Sequence, residues 1–281
     1  TNPGWDPLAY AVQESHARGL RIEAWVNPYR YSKTNDAAWM KSDWSNTLDK
    51  VTKSHTISYT NKDGDITILN PAEDWTITRI TDVCQEIITN YKVDGLVFDD
   101  YFYPNGIPES SAAGDWSNWT AYKNSGATEY TTIGDWRRAN VNKMVKAVYE
   151  MVKTYRPDCT FGISPAGVAC TDQTVADKHG VDRCTAPSGD WQYNGIYSDP
   201  VQWLKDGTID FVSPQIYWPT TSTKSPYVLI TNWWTKVAKQ FNRHHYASHY
   251  NTEPGKTIMT PGVTSTYGEL LKEVEANRAQ N

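Results

Sequence analysis

Val93-Asp94-Gly95-Leu96-Val97-Phe98-Asp99-Asp100-Tyr101-Phe102-Tyr103-Pro104 is the stretch on which the fold turns. An apolar run passes directly into two carboxylates, then into aromatics and a proline. Short apolar runs bounded by turn residues read as buried strands, here over 93–101. Upstream, 73–91 reads as a helix. Downstream, after a Gly/Ser/Trp-rich insertion at 104–134, the stretch 135–155 (DWRRANVNKMVKAVYEMVKTY) reads as an amphipathic helix closed by Arg156-Pro157.

The same alternation continues in both directions. Residues 5–19 read as a helix with Asp6 as N-cap, Pro7 at its first position and Gly19 past its end. Residues 20–27 form a strand, and 31–65 a long polar segment. Toward the C-terminus, 159–166 (CTFGISPA) is a strand, 168–197 a loop, 199–206 a short helix and 208–218 (TIDFVSPQIYW) a strand. Residues 227–241 are a helix, 243–250 a strand and 266–279 a final helix. Strands alternating with helices imply βαβ units and a parallel sheet, which makes the fold class α/β. The long loops follow strand C-termini, as in a (β/α)8 TIM-type barrel, and 281 residues suit one such domain, spanning 1–281. Only five strands can be counted, so the expectation is a barrel fragment lacking the first two strands and the last.

Composition narrows the function. Thirteen Trp and eighteen Tyr stand against five Phe. Phe fills a core as well as Trp does, but Trp and Tyr add a polar handle to a broad flat face. That combination fits the apolar face and hydroxyl rim of a sugar ring; the plain alternative is a Trp-rich core. The net charge of −5, without a basic stripe, argues against nucleic acid as a partner. No apolar run reaches transmembrane length. Of the four cysteines, Cys84 and Cys159 read as core residues. Cys170 and Cys184 flank one loop and form either a disulfide or two free thiols.

Three constellations lie at strand ends. Asp99 and Asp100 are adjacent acids that repel each other unless one keeps its proton, the split that glycoside hydrolysis uses. Strand parity puts Val97, Asp99 and Tyr101 on one face and Phe98 and Asp100 on the other, so Asp99 faces the barrel axis and Asp100 reaches it only if the strand bends. The alternative is a helix-capping or salt-bridged pair. In the second group, Trp25 and Asn27 share a face and Arg30 follows at the strand end. The third pairs Gln215 with Tyr217, polar groups costly in a core, followed by Trp218. Tyr101, Tyr103, Trp191 and Tyr193 are candidate stacking or binding residues. Asp135 reads as an N-cap, with Arg137 or Arg138 free to face the acids. His244, His245 and His249 lack a carboxylate at metal-site spacing, so a structural reading is preferred; neither a metal nor a cofactor is expected.

Eight segments, WDPLAYAVQESHARGL (5–20), EAWVNPYR (23–30), LNPAEDW (69–75), VDGLVFDDYFYP (93–104), DWRRANVN (135–142), FGISPAG (161–167), WLKDGTIDFVSPQIYW (203–218) and NWW (232–234), resemble the glycoside hydrolase-like 10 family of bacterial proteins. That family includes a cell-envelope glycosidase acting on stripped peptidoglycan strands. The resemblance implies a (β/α)8 barrel, O-glycoside hydrolysis at Asp99-Asp100, a polysaccharide or oligosaccharide substrate and a location in the cell envelope or outside the cell. It also implies a chain that begins after the family's first two strands and stops before its last. Glu23 stands where the family usually has His. The late strands offer Gln215, Tyr217 and Tyr246 but no carboxylate, and Glu253 lies beyond them. This favours substrate-assisted catalysis through a sugar N-acetyl group, with Tyr217 holding the acetamide oxygen. The competing reading is a non-catalytic glycan-binding barrel.

Overall fold

The computed structural model of the chain describes residues 4–33, 51–61, 64–249 and 267–280. The chain falls into two compact units: Thr1–Leu96, Tyr101–Cys159 and Asn194–Ser198 in the first; Val97–Asp100, Thr160–Tyr193 and Asp199–Asn281 in the second. Strand β5 (Gly95–Phe98) runs from one into the other.

In the first unit, helix α1 (Pro7–Ala17) starts where the sequence places it. Asp6 Oδ1 accepts from the amides of Leu8 and Ala9, both at 3.0 Å. Pro7 costs nothing there, since its missing N–H has no helical partner. Strand β1 (Glu23–Val26) follows. Asp94 fastens it: its amide donates to the Ile22 carbonyl at 2.8 Å, and its Oδ2 accepts from Ile22 N at 2.7 Å and His16 Nε2 at 3.0 Å.

The segment read as a long polar stretch holds a second sheet. Strands β2 (Arg30–Lys33), β3 (Thr56–Asn61) and β4 (Gly64–Leu69) pair antiparallel in the order β2-β4-β3. Thr56 faces Leu69 and Asn61 faces Gly64 across the β3–β4 ladder. Thr, Ser and Asp dominate the alternation, so the strands read as polar; Ile57 and Ile68 are nonetheless buried. Residues 34–50 and 62–63 of that stretch lie outside the described residues.

Helix α2 (Asp74–Asn90) buries Thr76, Ile80, Cys84 and Ile88, a four-residue spacing along one face. Helix α3 (Trp116–Asn124) lies inside the insertion that the sequence left without structure. Trp119 on it packs with Ile133 and Trp136, a small aromatic core assembled only when the chain returns. Helix α4 (Ile133–Tyr155) begins two residues earlier than expected, because Thr132 is the N-cap and its Oγ1 accepts from Asp135 N at 3.0 Å. Asp135 is therefore not the cap; it sits in the first turn, and its Oδ2 accepts from the Thr132 hydroxyl at 2.7 Å. Arg137 and Arg138 do not turn to the acids. Arg138 pairs with Asp135 at 2.9 Å and Arg137 with Asp115 at 2.7 Å, the latter pair having no exposed side-chain surface.

In the second unit, β6 (Thr160–Ile163), β7 (Phe211–Val212) and β8 (His244–His245) run parallel, with Gly162 beside Phe211 and Phe211 beside His244. The Ser164 amide donates to Phe98 O at 2.8 Å, joining β6 to the end of β5. The hydrogen-bonded order of this sheet is β1-β5-β6-β7-β8, and it is not closed among the described residues. The late strands are shorter than expected because Pro165 and Pro214 cannot donate to a ladder. Beyond them only single bridges persist, Ala166 with Gln215 and Gln215 with Ser248. The loop expected at 168–197 contains helices α5 (Gln173–His179) and α6 (Gln192–Gly195). Helices α7 (Pro200–Asp206), α8 (Tyr227–Gln240) and α9 (Tyr267–Arg278) complete the described elements. Cys84, Cys159, Cys170 and Cys184 are all buried free thiols, and Cys184 N donates to Cys170 O at 3.0 Å without a disulfide between them.

Gly162 has no room for a side chain: a Cβ there would lie 2.3 Å from the Phe211 ring. Gly162→Ala is expected to lower stability by about 1–3 kcal/mol, the usual cost of overpacking. A shift in the urea midpoint checks this; an unchanged midpoint would mean the ring can move away.

Candidate active site

The chain leaves β5 at Phe98, so strand parity no longer separates Asp99 from Asp100. The backbone turns, and the Asp100 amide donates to Asp99 Oδ1 at 2.8 Å. Gln215 Nε2 donates to the same oxygen at 3.1 Å and to the Ser164 carbonyl at 3.1 Å. Both acids stand with Gln215. Burial pushes the Asp100 carboxyl up to about 7, and the charge of Asp99 and a hydrogen bond to Asp99 add to the rise. Its own backbone amide and Gln215 act more weakly in the opposite direction. One carboxyl is thus an acid at neutral pH, beside another that accepts two hydrogen bonds.

The strand ends position this group. Gln215 N donates to Pro165 O at 2.9 Å. A Cβ on Gly167 would stand 2.5 Å from the Gln215 carbonyl oxygen and 2.7 Å from the Trp218 ring, so the glycine permits both to approach. Tyr217, between them, is half-buried. At the end of β8, Ser248 Oγ lies 2.8 Å from Ser213 Oγ and 3.5 Å from Ser164 Oγ. In the second unit Asp99 thus stands with the amide of Gln215, and the serine hydroxyls lie at the neighbouring strand ends.

Trp191, also in the second unit, is 47% exposed on a firmly held loop. Asp190 beside it accepts from Cys170 N at 2.8 Å and Tyr193 N at 3.1 Å, and burial raises its carboxyl to about 6. Gln192 is buried and donates to the carbonyls of Ala166 and Val168 at 2.9 and 2.7 Å. The loop is therefore tied to the end of β6. Sequence reasoning missed Asp190 and Gln192; a polar residue on either side of a Trp in a Gly-containing loop was their only signal. Tyr193 is packed, with Lys178 Nζ at 3.2 Å from its hydroxyl, and offers no free face.

The candidates of the first unit divide by exposure. Trp25 on β1 and Tyr101 are 53% and 56% exposed, as a stacking surface requires. Asn27 carries a buried Oδ1 with no hydrogen-bond partner. Arg30 opens β2 opposite Ile68 and is exposed. Tyr103 is different: it is 2% exposed, edge-on to Tyr197 at 5.3 Å and under the Arg137 guanidinium at 5.4 Å. Its place is in the core of the unit, not on a binding surface.

The three late histidines go to separate partners. His245 Nδ1 lies 3.0 Å from Thr235 Oγ1, His249 Nδ1 2.8 Å from Glu273 Oε2, and His244 stacks on Tyr246 at 6.2 Å. Among the described residues no group of three His, Cys, Asp or Glu could hold a metal ion. No helix there is long and apolar enough to cross a membrane.

Comparison with known proteins gives this geometry a context. The Escherichia coli K12 protein named glycosyl hydrolase DigH is 32% identical over 288 residues, covering 99% of this chain and 62% of that protein. The Bacillus subtilis protein named glycosyl hydrolase YngK is 30% identical over 289 residues, covering 99% of this chain and 51% of that protein. The chain thus spans between half and two thirds of these longer relatives. Among solved structures, the glycoside hydrolase domain of PgaB (BpsB) from Bordetella bronchiseptica superposes with a TM-score of 0.56 at 10% identity, over 98% of this chain and 72% of that one. That likeness is of fold. The model of the family described as glycosyl hydrolase-like 10 matches residues 1–258, and the chain belongs to that family.

Proposed function

We propose that the chain carries the acid-bearing part of a (β/α)8-type glycosidase that hydrolyses O-glycosidic bonds of an N-acetylated bacterial envelope glycan, with peptidoglycan strands favoured. The observation that carries the reading is the asymmetric pair: Asp100 is held up to about 7 while Asp99 accepts hydrogen bonds from Asp100 N and Gln215. Family membership and the glycoside hydrolase fold support it. In this mechanism Asp100 donates its proton to the leaving glycosidic oxygen as the C1–O bond breaks. The acetamide oxygen of the same sugar closes on C1, and Asp99 orients and charge-stabilises the acetamide N–H. Water then attacks C1 as the C1–O bond to the acetamide breaks, restoring the acetamide, and the proton that water loses returns to Asp100. Ser164, Gln215 and Ser248 stand at the ends of β6, β7 and β8, where a retaining enzyme with its own nucleophile would need a carboxylate. Tyr217 holds the acetamide oxygen, and the exposed Trp191 offers a ring face to a sugar. The place of action is the cell envelope or outside the cell.

The test is mass-spectrometric product analysis after incubation with denuded peptidoglycan and with chitin oligomers. New reducing ends are expected from N-acetylated glycans, with rates at least about 100-fold lower after chemical de-N-acetylation, since the attacking group is then gone. Equal rates on both would refute the substrate-assisted route. The exposed Trp25, Tyr101 and Trp191 equally suit a glycan-binding protein without turnover. That reading is favoured if glycans bind and no reducing end appears under any condition.

A further inference from the structure

Taking the ligand to be the glycan proposed above, we infer that Asp190 and Gln192 are positioning residues that hold the Trp191 ring as a fixed platform for one sugar ring, a subsite joined to the acid pair. A single exposed Trp needs no explanation on its own. Trp191 differs in its neighbours: its side chain is 47% exposed, while Gln192 is fully buried and Asp190 partly so. Both neighbours commit their side chains to the backbone. Asp190 Oδ2 accepts from Cys170 N at 2.8 Å and Oδ1 from Tyr193 N at 3.1 Å, and the Asp190 amide donates to Thr171 Oγ1 at 2.8 Å. Gln192 Nε2 donates to the carbonyls of Ala166 and Val168, so the sense of its amide is dictated by two acceptors. The chain on either side of the ring is thus tied to 166–171 and to 193. A ring held in this way loses little freedom when a ligand covers it, and more of the contact appears as affinity.

The same ties connect the platform to the acids. Trp191, Asp190 and Gln192 belong to the second unit, as do Asp99, Asp100 and Gln215. Ala166, whose carbonyl takes the Gln192 amide, bridges to Gln215, and Gln215 Nε2 donates to Asp99 Oδ1 at 3.1 Å. The end of β6 therefore carries the Trp191 loop on one side and meets the group around Asp99 on the other. An indole face suits the apolar C–H face of a sugar and leaves the hydroxyls at its rim to polar groups. Stacking of this kind does not change as the glycosidic bond breaks, so it lowers KM and leaves kcat nearly untouched.

The experiment is calorimetric titration of the whole chain with chitin hexamer and with denuded peptidoglycan strands, beside initial rates on both. Trp191→Ala is expected to weaken binding about tenfold, and Trp191→Phe, which keeps a ring face, by less than about threefold. Asp190→Asn offers one acceptor where two amides need one each, so it frees one tie and should weaken binding about threefold or more. Gln192→Met removes the donor to both carbonyls and serves in its place if the asparagine variant does not fold. A double-mutant cycle separates positioning from a general structural effect: on top of Trp191→Ala, neither variant should weaken binding further. In the rates, Trp191→Ala should raise KM about tenfold with kcat within about threefold. Native affinity in Trp191→Ala, or neighbour effects that persist in full without the indole, would overturn the inference, as would a native protein that binds neither glycan. Turnover that ignores Trp191→Ala removes this subsite and leaves the hydrolase reading standing. Binding that depends on Trp191 without turnover in any form of the protein does the reverse.

Discussion

Asp100→Asn is expected to lower kcat/KM on an N-acetylated glycan by about 10²–10⁴-fold, the range that a positioned general acid supplies. Glycan affinity should stay within about threefold, because the amide keeps the shape of the carboxyl. The same substitution has a second effect, on stability, that a bystander residue would not show. Asp100 has its carboxyl raised from 3.8 to about 7 in the fold, first by burial and then by Asp99. Below about pH 4 the carboxyl is protonated in both folded and unfolded chains, and no cost arises. Between about 4 and 7 the unfolded chain has lost this proton and the native chain retains it, so stability falls as pH rises. Above about 7 both forms are ionised and the native state bears the full penalty, up to about 4 kcal/mol. Asparagine carries no charge and escapes it. Asp100→Asn should therefore melt higher than the native protein at pH 8 and about equally at pH 4, while losing its activity. Thermal melts at the two pH values and initial rates at pH 6 check the pair of effects. Native turnover together with an unchanged melt at pH 8 would remove Asp100 from the mechanism.

Arg137→Ala should cost about 3–5 kcal/mol, because it leaves Asp115 as an unpaired charge in the core. The guanidinium is fully committed: Nε and Nη2 hold the two Asp115 oxygens at 2.8 and 2.7 Å, Nη1 donates to Tyr197 OH at 2.9 Å and Nη2 also to Pro108 O at 2.9 Å. It lies over the rings of Tyr103 and Tyr197 at 5.4 and 4.9 Å. Tyr197 OH passes the tie onward to Glu109 Oε1 at 3.2 Å. One side chain on α4 thus anchors residues 108–115, the stretch that follows the acidic strand and its aromatics. For a chain of this size the loss corresponds to a fall on the order of 10 °C in Tm. Cleavage by a protease within 104–115 should also become faster as the anchor goes. The combination Arg137→Met with Asp115→Leu removes both charges and should recover more than half of the lost stability, since a buried pair often contributes little beyond its own desolvation. Calorimetry and limited proteolysis provide the readouts. A single variant within about 1 kcal/mol of the native protein would show that water reaches Asp115 and satisfies it.

Local signals in the sequence carry through to the folded chain. Asp6, Pro7 and Gly19 delimit α1 because a cap, a preset φ and a left-handed exit act within a few residues of one another. The apolar spacing of α2 and α4, the strand character of Gly95–Phe98 and the burial of Cys84 and Cys159 follow from local apolar patterning. The acidic pair itself stood out because two adjacent carboxylates after an apolar strand are costly without a use. Single-residue cap choices were harder. Asp135 looked like a cap, but Thr132 lies on the side of the helix start where an oxygen can receive the free amides.

What the sequence by itself determined was therefore the alternation of strands and helices and the position of the acids at a strand end, both properties of neighbours along the chain. The tertiary structure decided the rest. It made a sheet of the polar stretch by pairing β4 with β2 and β3. It placed Tyr103 in the core because Arg137 closes over it. It ended β5 before Asp99, so that parity did not part the two acids. The contacts that give these side chains their chemistry span 22 residues for Arg137 with Asp115 and 116 for Gln215 with Asp99. Backbone geometry and periodicity carry information over a few positions, whereas such contacts exist only once the chain has folded back and excluded water from the carboxyls.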